Sequence, residues 1–394
     1  MVKPFRILVL NQISANGLKR LPVETYTVAK DIHEPDAILV RSADLHGVDI
    51  PASVKAIARA GAGTNNIPVQ AMSARGVPVF SAPGGNANAV KELVLAGMLM
   101  AARNLAPAQR FVDRLDPAAP DLEQVVEAGK RDFAGFELAG QTLGVIGLGK
   151  IGCLVADAAI RLGMDVLGYD PEITVDAAWS LPAQVKRAGS VADVLRKGHF
   201  ISLHVPLVEA TRGLIGEGNM SLTRRGAVLL NFSREGVVND AAALAALDSG
   251  QLGWYVCDFP SRAILRHPRV IALPHLGAST REAEENCAVM VADQLRDYLE
   301  HGNICNAVNF PGVSMGRESR FRVAIANANV PNMLGQISTA MARAGLNIHN
   351  MVNKSRGDMA YTLVDVDIPV SDSVIAELMG IQGVLAVRYL PQAE

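Results

Sequence analysis

The segment GLGKIG at residues 147–152 constrains the fold more than any other stretch of this chain. It follows the apolar run TLGVI and precedes an Ala-rich stretch, and Asp170 ends the next apolar run. In a strand–turn–helix unit, Gly147 permits the tight turn, Gly149 lets a pyrophosphate approach the backbone, and Gly152 lets helix and strand pack closely. The pattern therefore predicts a doubly wound, Rossmann-type α/β domain that binds a dinucleotide.

The same motif indicates which dinucleotide binds. The phosphates would rest on the helix N-terminus at Lys150 and Ile151. Asp170 can accept hydrogen bonds from the adenosine ribose hydroxyls and would repel a 2′-phosphate, so the sequence favours NAD over NADP. The alternative is a glycine-rich structural turn, but the full order of strand, turn, helix, strand and acid argues against it.

Two parallel sheets are predicted before residue 313. A chain of 394 residues is too long for one ordinary core. Residues 86–275 alternate about six strands with helices, as an NAD-binding domain does. Residues 1–85 alternate FRILVL, AILVRS, VKAIARAGAG and VPVF with helical stretches, which predicts a smaller, flavodoxin-like α/β sheet.

Long helices connect these two parts. A helical period over residues 88–104 links the domains, and the three prolines of 106–120 predict a break after it. A second helix from about Arg281 to His301 would return the chain, so that residues 276–312 complete a discontinuous substrate-binding domain with 1–85.

The amino-acid composition of the chain changes after Pro311. The segment GVSMGRESR is rich in Gly and Ser with charges, which is typical of linkers. Residues 318–394 then follow the pattern β-α-β-β-α-β, which predicts a ferredoxin-like domain.

Composition excludes several functional classes. The net charge of −2 gives no reason to expect nucleic acid or an anionic membrane as a partner. No two of the four cysteines form a C-x-x-C pair, so we expect no metal site and no disulfide framework. We expect the protein to lie in a reducing cytoplasm. The N-terminal apolar run is far too short for a signal peptide or a membrane span.

A family resemblance rests on GLGKIG, HVPL at 204–207, NFSREG at 231–236 and PHLGAST at 274–280, in this order. Over nearly all of residues 1–310 the chain resembles the D-isomer-specific 2-hydroxyacid dehydrogenases, and its C-terminal part resembles an ACT domain. The resemblance implies NAD-dependent oxidation of a 2-hydroxy acid. Together with the appended domain it implies 3-phospho-D-glycerate as substrate, 3-phosphohydroxypyruvate as product, and the first step of L-serine biosynthesis.

The resemblance also implies a catalytic pair. His275 would remove the hydroxyl proton as a general base. Arg234 would bind the substrate carboxylate with a planar fork that lysine lacks. Without the resemblance, His275 would more often be a structural histidine, and Arg234 could be a solvated loop residue. Around the cofactor the family pattern adds His204, Pro206, Asp258 and Gly277.

The chain departs from the family at one catalytic position. A glutamate normally follows the Phe-Pro of a D-V-F-P-x-E-P stretch, whereas CDFPSRA places Arg262 or Ala263 there. Loss of an acidic neighbour leaves the imidazolium form of a histidine less favoured. We hypothesise an active enzyme whose histidine works without that glutamate, or with a substitute from Glu235 or a neighbouring chain.

The N-terminal part offers groups for a substrate phosphate. Arg41 and Ser42 end the run AILVRS, and Gly63 lies in GAGTNN, whose backbone N–H groups could cradle an anion. Asn86 matches the family's cleft, and Lys130 aligns with a family lysine that reaches a partner subunit's substrate. Apart from Gly63 and Arg41, these could equally be ordinary turn residues.

The C-terminal part carries a possible effector site. In the ACT domains that it resembles, serine binds at an interface between subunits. Asn329 and Asn347 agree with the serine-binding pattern, whereas Asn327 and Asn332 depart from it. The resemblance thus implies a serine effector and a homodimer or homotetramer, and the alternative is a module for oligomerisation alone.

Two other functions stay open. A related dehydrogenase could act on an unphosphorylated acid such as glyoxylate or lactate, although Arg41 and the ACT-like part argue against it. An NAD(H)-sensing binding protein that has lost catalysis would account for the missing glutamate.

Overall fold

The computed structural model describes residues 4–392. Contacts between residues divide the chain into two compact units, one made of Met1–Asn86 with Arg281–Glu394 and the other of Ala87–Thr280. The predicted division into three domains stays a prediction. Among residues 4–392, no helix is long and apolar enough to cross a membrane.

The first unit begins with a parallel sheet. Its elements are β1 (Phe5–Leu10), α1 (Ala15–Leu18), β2 (Tyr26–Ala29), β3 (Ala37–Val40), β4 (Ala56–Arg59), α2 (Val69–Ala74) and β5 (Val79–Phe80). The strand order β2-β1-β3-β4-β5, with every pair parallel, is the flavodoxin-like order that the sequence predicts. β2 was not predicted from the sequence, because this four-residue edge strand has only one fully buried side chain.

The second unit is built on a larger parallel sheet. Its strands are β6 (Thr142–Ile146), β7 (Asp165–Tyr169), β8 (Lys186–Arg187), β9 (Phe200–Leu203), β10 (Ala227–Asn231), β11 (Leu252–Cys257) and β12 (Val270–Ala272). They are arranged in the order β12-β11-β10-β9-β6-β7-β8. The strand order reverses between β6 and β9, the point at which doubly wound sheets bind dinucleotides. The seventh strand, β8, escaped prediction because its two residues are exposed and polar.

Helices cover both faces of this second sheet. They are α3 (Ala87–Ala102), α4 (Leu105–Val112), α5 (Leu122–Gly129), α6 (Lys150–Arg161), α7 (Val175–Ser180), α8 (Val191–Lys197), α9 (Glu217–Met220) and α10 (Asp240–Asp248). The predicted break over residues 106–120 is wrong in its first part, which forms α4. Pro107 lies in the first turn of α4, where a missing N–H costs no intrahelical hydrogen bond.

The chain returns to the first unit through α11 (Arg281–His301) and ends in an antiparallel sheet. The C-terminal elements are β13 (Phe321–Ala328), α12 (Met333–Arg343), β14 (Ile348–Arg356), β15 (Met359–Val366), α13 (Asp372–Met379) and β16 (Val384–Pro391). The order β14-β15-β13-β16 is that of a ferredoxin-like fold, as predicted. We call residues 321–391 the C-terminal module.

The segment before this module is not a loose linker. Val313 and Met315 are buried in the same core as α11, and Ile304 forms a β-bridge with Val313. The linker prediction for GVSMGRESR is therefore wrong, because Val313, Met315 and Arg317 in this polar stretch have partners far along the chain.

Candidate functional site

Six predicted site residues follow the carboxyl ends of parallel strands in the Ala87–Thr280 unit. Because these strands run the same way, their carboxyl ends lie along one edge of the sheet. In the order of the strands in the sheet, these residues are His275 after β12, Asp258 after β11, Arg234 after β10, His204 after β9, Gly147 after β6 and Asp170 after β7.

The glycine turn has the shape that dinucleotide binding requires. Gly147 has φ +92°, and a Cβ there would lie 2.4 Å from the carbonyl oxygen of His204. A Cβ on Gly152 would lie 2.0 Å from the carbonyl oxygen of Gly147. By contrast, nothing lies within 4 Å of a Cβ built on Gly149. Two glycines thus permit close packing, and the third leaves open space where a phosphate can approach.

The start of α6 completes an anion site. Gly149 is its N-cap and makes no side-chain capping hydrogen bond, and α6 begins at Lys150. The N–H groups of the first turn of a helix, which includes Ile151, have no intrahelical acceptor and carry the positive end of the helix dipole. The turn and helix therefore fit the pyrophosphate of NAD.

Asp170 is fixed beside this turn. Its Oδ2 accepts a hydrogen bond from the Leu148 N–H at 2.8 Å, and its Oδ1 accepts one from the Glu172 N–H at 2.9 Å. Each carboxylate oxygen has a second lone pair, so the oriented carboxylate can still accept hydrogen bonds from ribose hydroxyls.

His204 faces inward. Its Nε2 lies 2.8 Å from Ser202 Oγ, and its Nδ1 is buried without a hydrogen-bond partner in the part of the chain between residues 4 and 392. Burial lowers the pKa of His204 to about 4, so the ring is neutral at physiological pH. The next predicted cofactor residue, Pro206, accepts a hydrogen bond from Thr211 Oγ1 at 2.5 Å. Both residues therefore have an internal structural role, and their contact with cofactor stays a prediction.

Arg234 is exposed on a turn that Asn231 organises. Asn231 is buried, donates from Nδ2 to the Arg234 carbonyl at 3.0 Å, and accepts from Ser233 Oγ at 2.8 Å. The guanidinium itself donates only to the Ser233 carbonyl, at 2.7 Å. No carboxylate from the described residues 4–392 pairs with it, so Arg234 can receive an anionic ligand.

His275 is held in an unusual backbone conformation. Its φ of +57° lies in the left-handed region, which a histidine seldom adopts. The buried Asp258 supports this turn, because its two carboxylate oxygens accept the N–H groups of Leu276 and Gly277, each at 2.7 Å. The His275 N–H donates to the Asp258 carbonyl at 3.1 Å.

The imidazole of His275 is exposed and lies against an aromatic ring. The ring centroids of His275 and Phe259 are 4.9 Å apart. Over residues 4–392, no hydrogen bond or ion pair reaches the imidazole. Arg262 and Glu235 are both exposed and supply no such partner, so the site lacks the carboxylate that the family pattern normally provides.

The turns of Arg234 and His275 are connected. The Asp258 N–H donates to the Asn231 carbonyl at 3.1 Å. Asn231 was not predicted as a site residue from the sequence, and Asp258 was predicted only as a cofactor contact. The available signal was a polar residue at the end of an otherwise apolar strand, AVLLN for Asn231 and WYVC before Asp258.

The predicted phosphate-binding residues belong to the first unit. Arg41 forms an ion pair with Glu284 of α11, so its charge is already engaged. The backbone N–H of Ser42 donates to Asn11 Oδ1 at 3.1 Å. Gly63 lies in an irregular turn, and Asn86 has a buried Oδ1 with no hydrogen-bond partner from residues 4–392.

A second arginine, Arg59, lies near this group and was missed. It ends β4 as Arg41 follows β3, and these strands are adjacent. Val40 lies opposite Arg59 in the pairing of β3 with β4, so Arg41 and Arg59 lie at the same edge of the sheet. Burial raises the pKa of the Cys287 thiol, and Arg59 and Arg41 both oppose that shift. A basic residue at the end of a second apolar run was the sequence signal.

The predicted effector residues are separated within one chain. Asn329 Nδ2 donates to the Gly357 carbonyl at 2.9 Å, next to the β15 end where Ala328 pairs with Met359. Asn347 precedes β14, whose Ile348 pairs with Val366 at the other end of β15. A single chain therefore cannot join Asn329 and Asn347 in one site.

A pocket of about 220 Å³ lies on the Asn329 side of the C-terminal module. Asn327 lines it, is 1% exposed, and has an Oδ1 without a partner in the described chain. Asn332, the N-cap of α12, also lines the pocket and makes no side-chain capping bond. The pocket thus offers both a carbonyl acceptor and free helix N–H donors.

Between residues 4 and 392, no three His, Cys, Asp or Glu side chains are grouped as metal ligands would be. Lys130 forms an exposed ion pair with Glu127.

Comparisons with known proteins indicate the family. Residues 95–277 match the family model described as D-isomer specific 2-hydroxyacid dehydrogenase, NAD binding domain. D-3-phosphoglycerate dehydrogenase of Methanocaldococcus jannaschii is 31% identical over 380 residues, covering 92% of this chain and 69% of the relative. The enzyme of the same name from Escherichia coli is 31% identical over 341 residues, covering 83% of this chain and 79% of the relative.

Solved structures share the fold. The NAD⁺-bound 3-phosphoglycerate dehydrogenase of Entamoeba histolytica has a TM-score of 0.62 and 24% identity, covering 78% of this chain and 99% of that one. A glyoxylate reductase from Paecilomyes thermophila has a TM-score of 0.63 and 23% identity, covering 77% of this chain and 98% of that one. At these identities the two structures establish the common fold and do not separate the substrates.

Proposed function

This chain belongs to the D-isomer-specific 2-hydroxyacid dehydrogenases and is an NAD-dependent oxidoreductase, and we propose that it oxidises 3-phospho-D-glycerate to 3-phosphohydroxypyruvate in L-serine biosynthesis. The observation that carries this proposal is that the exposed Arg234 and His275 follow β10 and β12, the two strands that flank β11, and that their turns are joined by the hydrogen bond between Asn231 and Asp258. The names of the relatives supply the substrate.

In the proposed reaction His275 accepts the proton of the C2 hydroxyl group. The hydride from the same carbon goes to NAD, which supplies the redox chemistry. Arg234 binds the substrate carboxylate through two parallel N–H groups, which also orients C2. The hydrogen bonds from Leu276 and Gly277 to the Asp258 carboxylate fix the turn that carries His275. The imidazole therefore needs little reorganisation to reach the hydroxyl group.

No carboxylate of the described part of the chain pairs with His275 to favour its charged form. A histidine base of this kind gains its proton without the stabilisation that a nearby anion provides. We propose that His275 works without the family glutamate, with Glu235 or a neighbouring chain as the alternative sources of an acid.

The phosphate of the substrate would bind in the first unit. Arg59 and Arg41 provide two guanidinium groups, Gly63 adds a backbone N–H group, and Ser42 adds a side-chain hydroxyl group nearby in sequence. Because Arg41 is paired with Glu284, substrate binding would exchange that carboxylate for a phosphate. Asn86, with an unpartnered Oδ1, can accept a hydrogen bond from a substrate hydroxyl group.

Serine is the proposed effector, and it would bind to the C-terminal module. The pocket beside Asn327 and Asn329 would hold the amino acid, and Asn347 would have to come from a second copy because it lies at the far end of β15. A homodimer or homotetramer follows from this arrangement. We place the enzyme in the cytoplasm, where free thiols such as Cys153 stay reduced.

Formation of NADH with 3-phospho-D-glycerate tests the proposal directly. We expect a kcat/KM for this substrate at least 100-fold above that for D-lactate or for glyoxylate in the reverse direction, since two charged hydrogen bonds to the phosphate would be absent from both, each about 1.5–3 kcal/mol. Turnover of the unphosphorylated acids alone would support the second dehydrogenase function. Tight NADH binding without turnover of any acid would support the sensing protein.

A further inference from the structure

The C-terminal end of α11 is covered by side chains from the far end of the chain. The last four carbonyl groups of a helix have no intrahelical donor. Each carbonyl of the last four residues of α11, Tyr298 to His301, accepts a side-chain hydrogen bond, and so does the carbonyl of Gly302 just after the helix. The bonds are Arg388 Nη1 to Tyr298 at 3.0 Å, Arg388 Nη2 to Leu299 at 2.8 Å, Arg317 Nη1 to Glu300 at 3.5 Å, Arg322 Nη1 to His301 at 3.1 Å and Tyr361 Oη to Gly302 at 2.7 Å.

Charge reinforces this cap. Three of the donating side chains are arginines, and cations at a helix C-terminus interact favourably with the helix dipole. Arg388 also lies over the ring of Tyr298, with its guanidinium carbon 4.4 Å from the ring centroid. Hydrogen bonding, the dipole and the cation–π contact therefore act in the same direction.

Arg322 is the centre of the contact. It is fully buried and uses its five N–H groups in five hydrogen bonds, two of them to the buried Asp365. The remaining three go to the carbonyl groups of His301, Met315 and Gly316. A buried arginine with every donor satisfied has one defined orientation, because any shift leaves a donor unpaired in the interior.

The apolar contact is equally close. A Cβ on Gly302 would lie 2.9 Å from Leu390 Cδ1 and 3.0 Å from Leu363 Cδ2. These leucines belong to one continuous core with Leu295 and Leu299 of α11. The face of the C-terminal sheet that carries Leu363 and Leu390 therefore packs in the same core as α11.

The chain that leads into the module is fixed as well. Arg317 donates to the Leu390 carbonyl and, at 3.1 Å, to the Ser319 carbonyl. Ser319 Oγ donates to the Val366 carbonyl. This connection therefore cannot act as a swivel without breaking several of these bonds together.

We propose that the C-terminal module is the C-cap of α11 and a fixed part of the first unit, rather than a tethered regulatory domain. A ligand on the module would then act on the unit through α11, whose first turn holds Arg41 through Glu284. This last consequence rests on the proposed function, whereas the cap itself does not.

Trypsin and hydrogen exchange test the cap in the full chain. We expect the bonds after Arg317 and Arg320 to resist trypsin under native conditions. Tyr361→Phe removes one hydroxyl group and the bond to Gly302, so amides in the last turn of α11 should exchange roughly 5- to 30-fold faster. Tyr169→Phe is the matched control, since this tyrosine ends β7 in the Ala87–Thr280 unit and should leave exchange in α11 unchanged.

A second pair covers the charged part of the cap. Arg388→Leu should accelerate both hydrogen exchange in α11 and cleavage by trypsin. Arg343→Leu should accelerate neither, because Arg343 is an exposed residue of α12. Rapid cleavage of the unaltered protein after Arg317 or Arg320 with release of a folded module would overturn the proposal. Equal exchange in the two tyrosine variants would do the same. Neither measurement requires turnover, so an inactive protein would defeat the proposed function and leave this test intact.

Discussion

Asn231 and Asp258 hold the two side chains that we propose to meet the substrate. Both are buried, and their side-chain oxygens accept hydrogen bonds from donors in a neighbouring turn. Within residues 4–392, Arg234 and His275 are left without carboxylate partners, and their turns are joined by one backbone hydrogen bond. The reactive groups are therefore exposed, while the residues that position them are not.

The role of His275 can be measured by substitution. His275→Asn should lower kcat/KM for 3-phospho-D-glycerate by roughly 100- to 10,000-fold, the usual contribution of a general base. Glu235→Gln should stay within about twofold of the unaltered enzyme if the imidazole works alone. A pH–rate profile of both variants checks this. Full activity of His275→Asn would remove the histidine from the mechanism, and a large loss in Glu235→Gln would make Glu235 the substitute acid.

Arg234 should not tolerate lysine. Arg234→Lys keeps the charge but loses the planar pair of donors, so kcat/KM should fall roughly 10- to 100-fold, the equivalent of one hydrogen bond to a charged group. Steady-state kinetics measure the change. Arg262→Lys is the control, because Arg262 is exposed and has no assigned ligand. Equal effects at both positions would contradict a carboxylate-binding role for Arg234.

The turn between β6 and α6 shows how one element combines packing with ligand binding. A side chain at Gly152 would collide with the backbone of the turn itself, whereas a side chain at Gly149 would meet no protein atom within 4 Å. The motif therefore contains one glycine required by the fold and another whose missing side chain leaves room for a ligand.

These two glycines should respond differently to alanine. Gly152→Ala should lower the melting temperature or prevent folding, because its Cβ would lie 2.0 Å from a carbonyl oxygen. Gly149→Ala, whose φ of −74° suits alanine, should leave the melting temperature unchanged and weaken NAD binding. Thermal melts with and without NAD distinguish the effects. Loss of stability in Gly149→Ala, or tight NAD binding by that variant, would contradict the assignment.

At the scale of the molecule, the buried pair of Arg322 and Asp365 joins the C-terminal sheet to α11. Burial by itself would raise the pKa of the Asp365 carboxyl group, but hydrogen bonds from Arg322 and from the Glu318 N–H lower it overall. A carboxylate whose folded pKa is lowered contributes stability above its unfolded pKa, here 3.8, and loses that contribution as the pH falls through the folded value.

Asp365→Asn should therefore destabilise the protein in a pH-dependent way. At pH 7 the free energy of unfolding should fall by about 3–5 kcal/mol, since Arg322 would be left as a buried unpaired charge. The difference from the unaltered protein should shrink as the pH falls below 3.8. Denaturant titrations over this range measure it, with Asp358→Asn on an exposed turn as control. A difference that does not vary with pH would rule out ionised Asp365 as its source.

Local patterns in the sequence determined much of this protein. Apolar runs and glycines predicted the Rossmann-type sheet, the turn at Gly147 and the ferredoxin-like order, because strand and helix periods and positive φ depend on neighbouring residues. They also placed Arg234 and His275 at strand ends. Short or polar elements such as β2 and β8 were missed, because they lack such a local pattern.

Tertiary structure alone decided which distant groups meet. The pairing of Arg41 with Glu284, the separation of Asn329 from Asn347 and the cap on α11 join residues that no local pattern relates. The segment before the C-terminal module illustrates the reason. Its composition is that of a linker. Nevertheless Arg317 and Ser319 donate to carbonyl groups of β16 and β15, and these acceptors are in place only once the sheet has packed. Hydrogen-bond partners of this kind are set by packing in three dimensions, and a period in the sequence does not encode them.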